Sequence, residues 1–290
     1  MVKHLIKLAR PEQWVKNGIL LVSLVYAGEL DNPAKDELAI IATAIFCLLS
    51  SGVYVFNDLL DRNRDRLHPE KQHRPIAAGH VSPGLAGSMT FLLLGGGLVA
   101  SWFINTPFFY VSAAFVILNL LYTVLLKNIV IVDVMSVAFS FVLRAYAGAL
   151  AIDVTASKWL IINTLLLALF LAFGKRRHEL LLLEEGAIAH RKILSHYSPY
   201  LLDQMTGVTT ASVVVMYMLY TFSTEVSEKL GTDNLYLTIP LVVYGIFRYL
   251  YLIHKKDRGG SPTMVLITDF PILLTVVLWM LTSVLILYYL

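Results

Sequence analysis

The sequence predicts an all-α integral membrane protein with about nine transmembrane helices. Three observations carry that expectation. Of 290 residues, 57% are hydrophobic and only 15% are charged, against about 45–50% and about 25% in soluble domains. The mean hydropathy is +0.70. Apolar stretches of about 20 residues, enough to cross a bilayer, recur along the whole chain without long strand-like alternation.

The candidate spans lie near residues 15–28, 37–60, 84–104, 107–126, 131–151, 158–174, 206–224, 235–253 and 269–289, in one membrane domain over 1–290. No secretory leader is expected, because the basic first ten residues run into an apolar segment without a small-residue cleavage site. Cys47, within the second stretch, reads as a small buried hydrophobe and can form no intrachain disulfide. The cations sort unevenly. With nine spans, one side carries Lys3, Lys7, Arg10, the cations of 62–74, Lys127, Lys175, Arg176, Arg177, Arg191, Lys192, Lys255, Lys256 and Arg258. The other side carries only Lys35, Lys158 and Lys229. The positive-inside rule then puts the N-terminus and the charged loops in the cytoplasm, as expected of a multi-pass protein of a bacterial-type inner membrane. These cations flank spans and belong to no nucleic-acid motif, so nucleic acid is not an expected partner.

The densest charge, "NDLLDRNRDRLHPEKQHRP" from Asn57 to Pro75, directly follows the apolar run "IIATAIFCLLSSGVYVF". Asn57, Asp58, Asp61 and Asp65 form the pattern N-D-x-x-D-x-x-x-D. On a helix, Asn57, Asp61 and Asp65 fall within about 80° of arc, with Asp58 beside them. Ionisable groups that begin inside a hydrophobic register are rare and usually functional. Clustered hard oxygens suit Mg2+, which is commonly shared with substrate phosphates. The plainer reading is a solvated helix end paired with Arg62, Arg64 and Arg66.

This motif, at the end of the second of nine helices, resembles the UbiA superfamily of intramembrane prenyltransferases, and the resemblance covers essentially the whole chain. It implies helices around a central cavity. It also implies that Asn57, Asp58, Asp61 and Asp65 hold a diphosphate through Mg2+, with Asp58 and Asp61 catalytic. Most members carry a second motif, D-x-x-x-D, after the sixth span. Here that place reads "LAFGKRRHELLLLEEG", with Lys175, Arg176, Arg177 and Glu179. One acidic motif facing a basic cluster suits two phosphorylated substrates, one chelated through metal and the other gripped by Lys and Arg. The plainer reading of the K-R-R triplet is a positive-inside anchor. The segments "RPEQWVKN" (10–17), "HPEKQHRPIAAG" (68–79), "DVMSVAFSFVLRAYAGALA" (133–151) and "FLAFGKRRHEL" (170–180) together resemble the decaprenyl-phosphate phosphoribosyltransferase branch. That resemblance implies transfer of phosphoribose from 5-phosphoribosyl diphosphate to a polyprenyl phosphate, with release of diphosphate, in cell-wall arabinan precursor synthesis.

Further residues fall into place around these two motifs. Asp133 and Arg144 lie about 20° apart around the fifth span and share a broad face with Ser140. An arginine this deep should face the bundle interior. It is either a phosphate ligand aided by Asp133, and so counted with the catalytic residues, or half of a structural ion pair with another helix. Lys16 and Asn17 follow Trp14, which reads as an interfacial anchor. Lys16 either snorkels or, as the resemblance suggests, reaches the cavity. Tyr122 and Lys127 resemble a Tyr and a Lys that the family places near the diphosphate. Lys71, His73 and Arg74 lie in a loop able to close over a sugar phosphate. Glu179 either helps to hold a metal or orients an arginine. Arg191, Tyr197 and Asp203 suggest no role, His190 and His196 read as surface histidines, and Asp269 reads as a helix cap or a contact to a substrate hydroxyl.

No Ser-His-Asp arrangement, Walker motif or zinc spacing is present. Two rival functions stay open at this point. Prenyl transfer from a prenyl diphosphate to an aromatic or other acceptor is opposed by the missing second D-x-x-x-D. Transport of a lipid-linked anion is opposed by the lack of an inverted repeat or paired broken helices. Lipid chain length and oligomeric state, a homo-oligomer included, are not legible.

Overall fold

The computed structural model describes residues 1–67, 71–184, 192–255 and 260–289, and every regular element among them is helical. His68, Glu70, His190, Arg191, Lys256 and Arg258 lie outside the described residues. Helix α1 (Val2–Ala9) buries Leu8 and ends at Arg10, whose φ is 53°. A 3-10 segment, Pro11–Gly18, leads into α2 (Ile19–Tyr26). The chain then runs through α3 (Pro33–Asp65), α4 (Pro83–Ile104), α5 (Thr106–Val124) and α6 (Val132–Ala151). It continues through α7 (Lys158–Glu184), α8 (Pro199–Thr221), α9 (Thr224–Leu230), α10 (Ile239–Lys255), α11 (Pro262–Thr268) and α12 (Phe270–Tyr289).

Local sequence sets most of these boundaries. Ser82, Asn105, Ser198 and Ser261 each accept a hydrogen bond from the backbone N–H three residues on, and a proline follows each within two positions. Each such cap contributes about 1 kcal/mol. Asp269 caps α12 by accepting from the Ile272 N–H at 3.2 Å, and it also takes a two-point bond from Arg248 at 2.9 and 3.2 Å.

Among the described residues, seven helical stretches are long and apolar enough to cross a membrane, or eight if α8 and α9, bent by 55°, count as one. The expected count of about nine is not reached among the described residues by length and composition. The stretch expected at 15–28 changes from 3-10 to α at Gly18, and α2 has only eight residues. The expected start of the seventh span, 206, lies well inside α8, because Pro199 behind the Ser198 cap begins the helix earlier.

α3 positions the charged motif. Its 33 residues extend about 50 Å at about 1.5 Å per residue, well beyond a hydrocarbon core of about 30 Å. The apolar run thus lies in the membrane while the same rigid helix carries Asn57 to Asp65 past its edge. α3 packs closely on α4, and a Cβ on Gly97 would stand 2.6 Å from Leu49 Cδ2. Phe46, Phe108 and Phe115 fill the layer between α3 and α5. At the charged end, Leu8, Val55, Ile76, Val81 and Ala86 form a separate small core that fastens α1 and the loop after α3 to the α3 terminus.

α2 meets α6 where residue 148 is glycine. A Cβ there would lie 2.2 Å from the Leu20 carbonyl oxygen, which as backbone cannot step aside. Gly148→Ala should therefore destabilise the protein by about 1–3 kcal/mol, read as a lower thermal unfolding midpoint in detergent. Gly207→Ala, on α8 with nothing within 4 Å of the added carbon, should leave the midpoint unchanged or raised.

Candidate active site

The charged side chains at the ends of α3, α6 and α7 gather into three centres. In the first, each aspartate of the α3 stripe meets a cation from another element. Asp58 Oδ1 accepts from Arg10 Nη2 at 2.6 Å and from Arg74 Nη1 at 3.0 Å. The same Arg74 nitrogen donates to Asp65 Oδ2 at 2.7 Å. Asp61 takes the Lys127 ammonium on both oxygens, at 2.8 and 3.0 Å. Asp58, Asp65 and Lys127 are buried, and Asn57 beside them is half-buried. Lys71 lies close enough to Asp65 to attract it, while Arg62 turns back to the Leu59 carbonyl at 3.0 Å and Arg66 reaches the Ala77 carbonyl at 3.2 Å. The plainer reading, a stripe paired with Arg62, Arg64 and Arg66, is therefore not what forms: its cations come from the end of α1, the 71–81 loop and the turn after α5.

Hard carboxylate oxygens fit a magnesium ion by donor type. Among the described residues, however, no three Asp, Glu, His or Cys side chains stand close enough together to hold one. Arg74 and Lys127 occupy the inner oxygens.

The second centre is built on Arg176, which is 4% exposed. Its Nε donates to Asp133 Oδ2 at 2.7 Å, its Nη1 to Glu179 Oε2 at 2.6 Å and its Nη2 to the Tyr122 hydroxyl at 3.0 Å. Asp133 is fully buried and accepts on its other oxygen from the Tyr197 hydroxyl at 2.8 Å. Burial pushes the Tyr197 phenol up to about 12; the Ile131 N–H opposes the shift, and the Asp133 carboxylate adds to it. Tyr197 is thus protonated near neutral pH and donates. The K-R-R triplet divides because consecutive helical residues point about 100° apart. Arg177 turns to Asp203 at 2.6 Å, which also meets His254 at 3.3 Å. Lys175 is about half exposed, 3.9 Å from Glu179. His196 is exposed.

The third centre surrounds Arg144, which is 5% exposed. Its Nε donates to Asn17 Oδ1 at 2.9 Å, its Nη1 to the Ser140 hydroxyl at 2.9 Å, and its Nη2 stands 3.5 Å from the Ser50 hydroxyl. The rings of Phe115 and Phe141 lie 4.6 and 5.1 Å from its guanidinium carbon. Asn17 in turn accepts from Ser50 at 3.2 Å and donates to Cys47 at 3.3 Å. Among the described residues no carboxylate touches Arg144. Arg144 and Arg10 both stand near enough to Lys16 to repel it, while Glu12 attracts it. The expected alliance of Asp133 with Arg144 does not form. The two share a helix face but are three turns apart along α6, and Asp133 serves Arg176 instead.

The sequence reading assigned no role to Arg10, Ser50 or Tyr197. Arg10 carried one signal, its position directly before Pro11 at the entry to the bundle; Ser50 and Tyr197 carried none.

Arg74→Ala would leave Asp58 and Asp65 with one cation fewer between them. In substrate-free protein, millimolar Mg2+ should barely move the wild-type unfolding midpoint but raise that of R74A by about 2–4 °C. An R74A midpoint indifferent to Mg2+ would count against a metal entering between these carboxylates.

Residues 18–268 match the model of the UbiA prenyltransferase family. The decaprenyl-phosphate phosphoribosyltransferase of Mycolicibacterium smegmatis is 33% identical, over 93% of this chain and 87% of its own. That of Mycobacterium tuberculosis is 30% identical, over 97% of this chain and 93% of its own. A solved UbiA homologue from Archaeoglobus fulgidus, bound to GPP and Mg2+, superposes with a TM-score of 0.74 over 98% of this chain and 99% of that one, at 18% identity.

Proposed function

We propose that this chain, which belongs to the UbiA prenyltransferase family, transfers 5-phosphoribose from 5-phosphoribosyl diphosphate to a decaprenyl-type polyprenyl phosphate. It is a multi-pass membrane transferase. The observation that carries the finer reading is the third centre. A buried arginine held only by neutral partners, with the Lys16 ammonium near enough to be repelled by it, is a costly arrangement unless an anion completes it. Relatives over nearly the whole length that are named for phosphoribosyl transfer to a lipid phosphate support the same substrates.

In this reading Asn57, Asp58, Asp61 and Asp65 would hold Mg2+, which neutralises the charge that grows on the departing diphosphate. Arg74 and Lys127, now on the carboxylates, turn to phosphate oxygens as the donor binds, and Lys71 follows in the same loop. Arg144, Lys16 and Asn17 take one phosphate group. Arg176, oriented by Glu179 and Tyr122, takes another, with Lys175 and Arg177 raising the local positive field. A lipid phosphate oxygen attacks the anomeric carbon as the carbon–oxygen bond to diphosphate breaks, with inversion. The attacking oxygen is already anionic, so no general base is needed, and positioning and electrostatics provide the rate. The uneven distribution of Lys and Arg supports a cytoplasmic site in a bacterial inner membrane, where the product would feed arabinan precursors of a cell wall.

Purified protein given phosphoribosyl diphosphate, polyprenyl phosphate and Mg2+ should release diphosphate and form phosphoribosylated lipid. Asp58→Ala and Asp61→Ala should abolish transfer without loss of folding, and Arg144→Ala should lower kcat/KM by about 100-fold or more. Product formed only with a prenyl diphosphate donor would replace this reading with prenyl transfer.

A further inference from the structure

Tyr197 stands between two structural oddities. Its hydroxyl accepts a hydrogen bond from the Ile131 N–H at 2.7 Å and donates one to Asp133 at 2.8 Å. Ile131 has φ 68° and ψ −44°, a conformation that a β-branched residue adopts only under constraint. Strain of this kind costs about 1–3 kcal/mol and persists where surrounding contacts impose it, most often near functional sites. Ile131 ends the turn that begins after α5. That turn also carries Lys127, the partner of Asp61, on the 3-10 segment Leu126–Asn128. Two residues past Ile131 comes Asp133, the partner of Arg176. One phenol from the segment before α8 thus secures both ends of a short run, with one cation of the acidic centre before it and the anchor of the basic centre after it.

Tyr197 is itself buried, among Val134, Phe173, Leu180, Ile193, Leu194 and Leu202. A hydroxyl in such surroundings must find partners, and here both of its partners belong to this run.

We infer that Tyr197 is a positioning residue for the transfer reaction: through Asp133 it sets the face that Arg176 presents to a substrate phosphate, while its bond to Ile131 braces the strained turn before α6 and serves stability alone. This rests on the phosphoribosyl-transfer reading. Tyr197 moves no proton in the reaction.

Tyr197→Phe removes only the hydroxyl. In the transfer assay it should raise the KM of one of the two phosphorylated substrates about 10- to 100-fold, leave the other KM within about twofold, and leave the shape of the pH–rate profile unaltered. Asp133→Asn added to Y197F should cost less than the product of the two single losses, because both act on Arg176. Ile131→Gly added to Y197F separates structure from positioning, since glycine accepts the positive φ without support. The unfolding midpoint should recover while the KM defect stays.

A wild type inactive with phosphoribosyl diphosphate removes the functional reading and this inference with it. With an active wild type, the inference alone is overturned by a Y197F enzyme within about twofold of wild type for both substrates, by multiplicative losses with D133N, or by a KM that recovers together with the midpoint in I131G/Y197F.

Discussion

Charge is expensive to hold away from water, and a chain of this composition has little polar surface with which to shelter it. The charged ends of the long helices are organised by that constraint. Asp58, 2% exposed, is paired with guanidinium groups from two separate segments, Arg10 before the first span and Arg74 in the loop after α3. Asp61 draws Lys127 inward from the turn after α5. Asp133 does the same for Arg176 on α7. Each pairing joins parts of the chain that hydrophobic packing alone would leave free to slide, because lipid solvates an apolar helix face about as well as a neighbouring helix does. In this bundle ionic contacts set register where a soluble protein would use its core.

Arg144 departs from that pattern. Four neutral oxygens and two aromatic faces hold its geometry without cancelling its charge. A neutralised cation must share its charge between its carboxylate and an arriving phosphate, whereas one merely held in place has its whole charge left for an anion. Both kinds occur here within one shell of helices, the neutralised ones around the aspartates and the uncancelled one around Asn17.

Much of this was legible in the sequence. The helical class followed from composition, and the α3 stripe followed from a spacing of four, which places successive side chains on one line of a helix. Where the reading failed, the cause is geometrical. Asp133 and Arg144 share an azimuth, but eleven residues separate them by about 16 Å along the axis. Periodicity reports direction around a helix and is silent about height, so the two were paired with each other when each belonged to a different centre. Within the K-R-R triplet, neighbours in sequence diverge around the axis, so only Arg176 turns to Asp133 while Arg177 turns to Asp203. The partners of Arg10 and Tyr197 lie 48 and 64 positions away, and no local spacing announces such contacts.

The uninterrupted run of α3 through the membrane edge has a consequence for where the protein can work. Helices are stiff along their length, so the aspartates ride at a set height above the hydrophobic belt of the same helix. A lipid phosphate floats at a height dictated by the thickness of its own bilayer. The two levels coincide only in membranes of a suitable depth, because thickening or thinning the hydrocarbon slab shifts one against the other by ångströms while the helix tilts to compensate. On the proposed reaction, α3 would act as a ruler as well as a scaffold, coupling the encounter with a lipid acceptor to bilayer thickness.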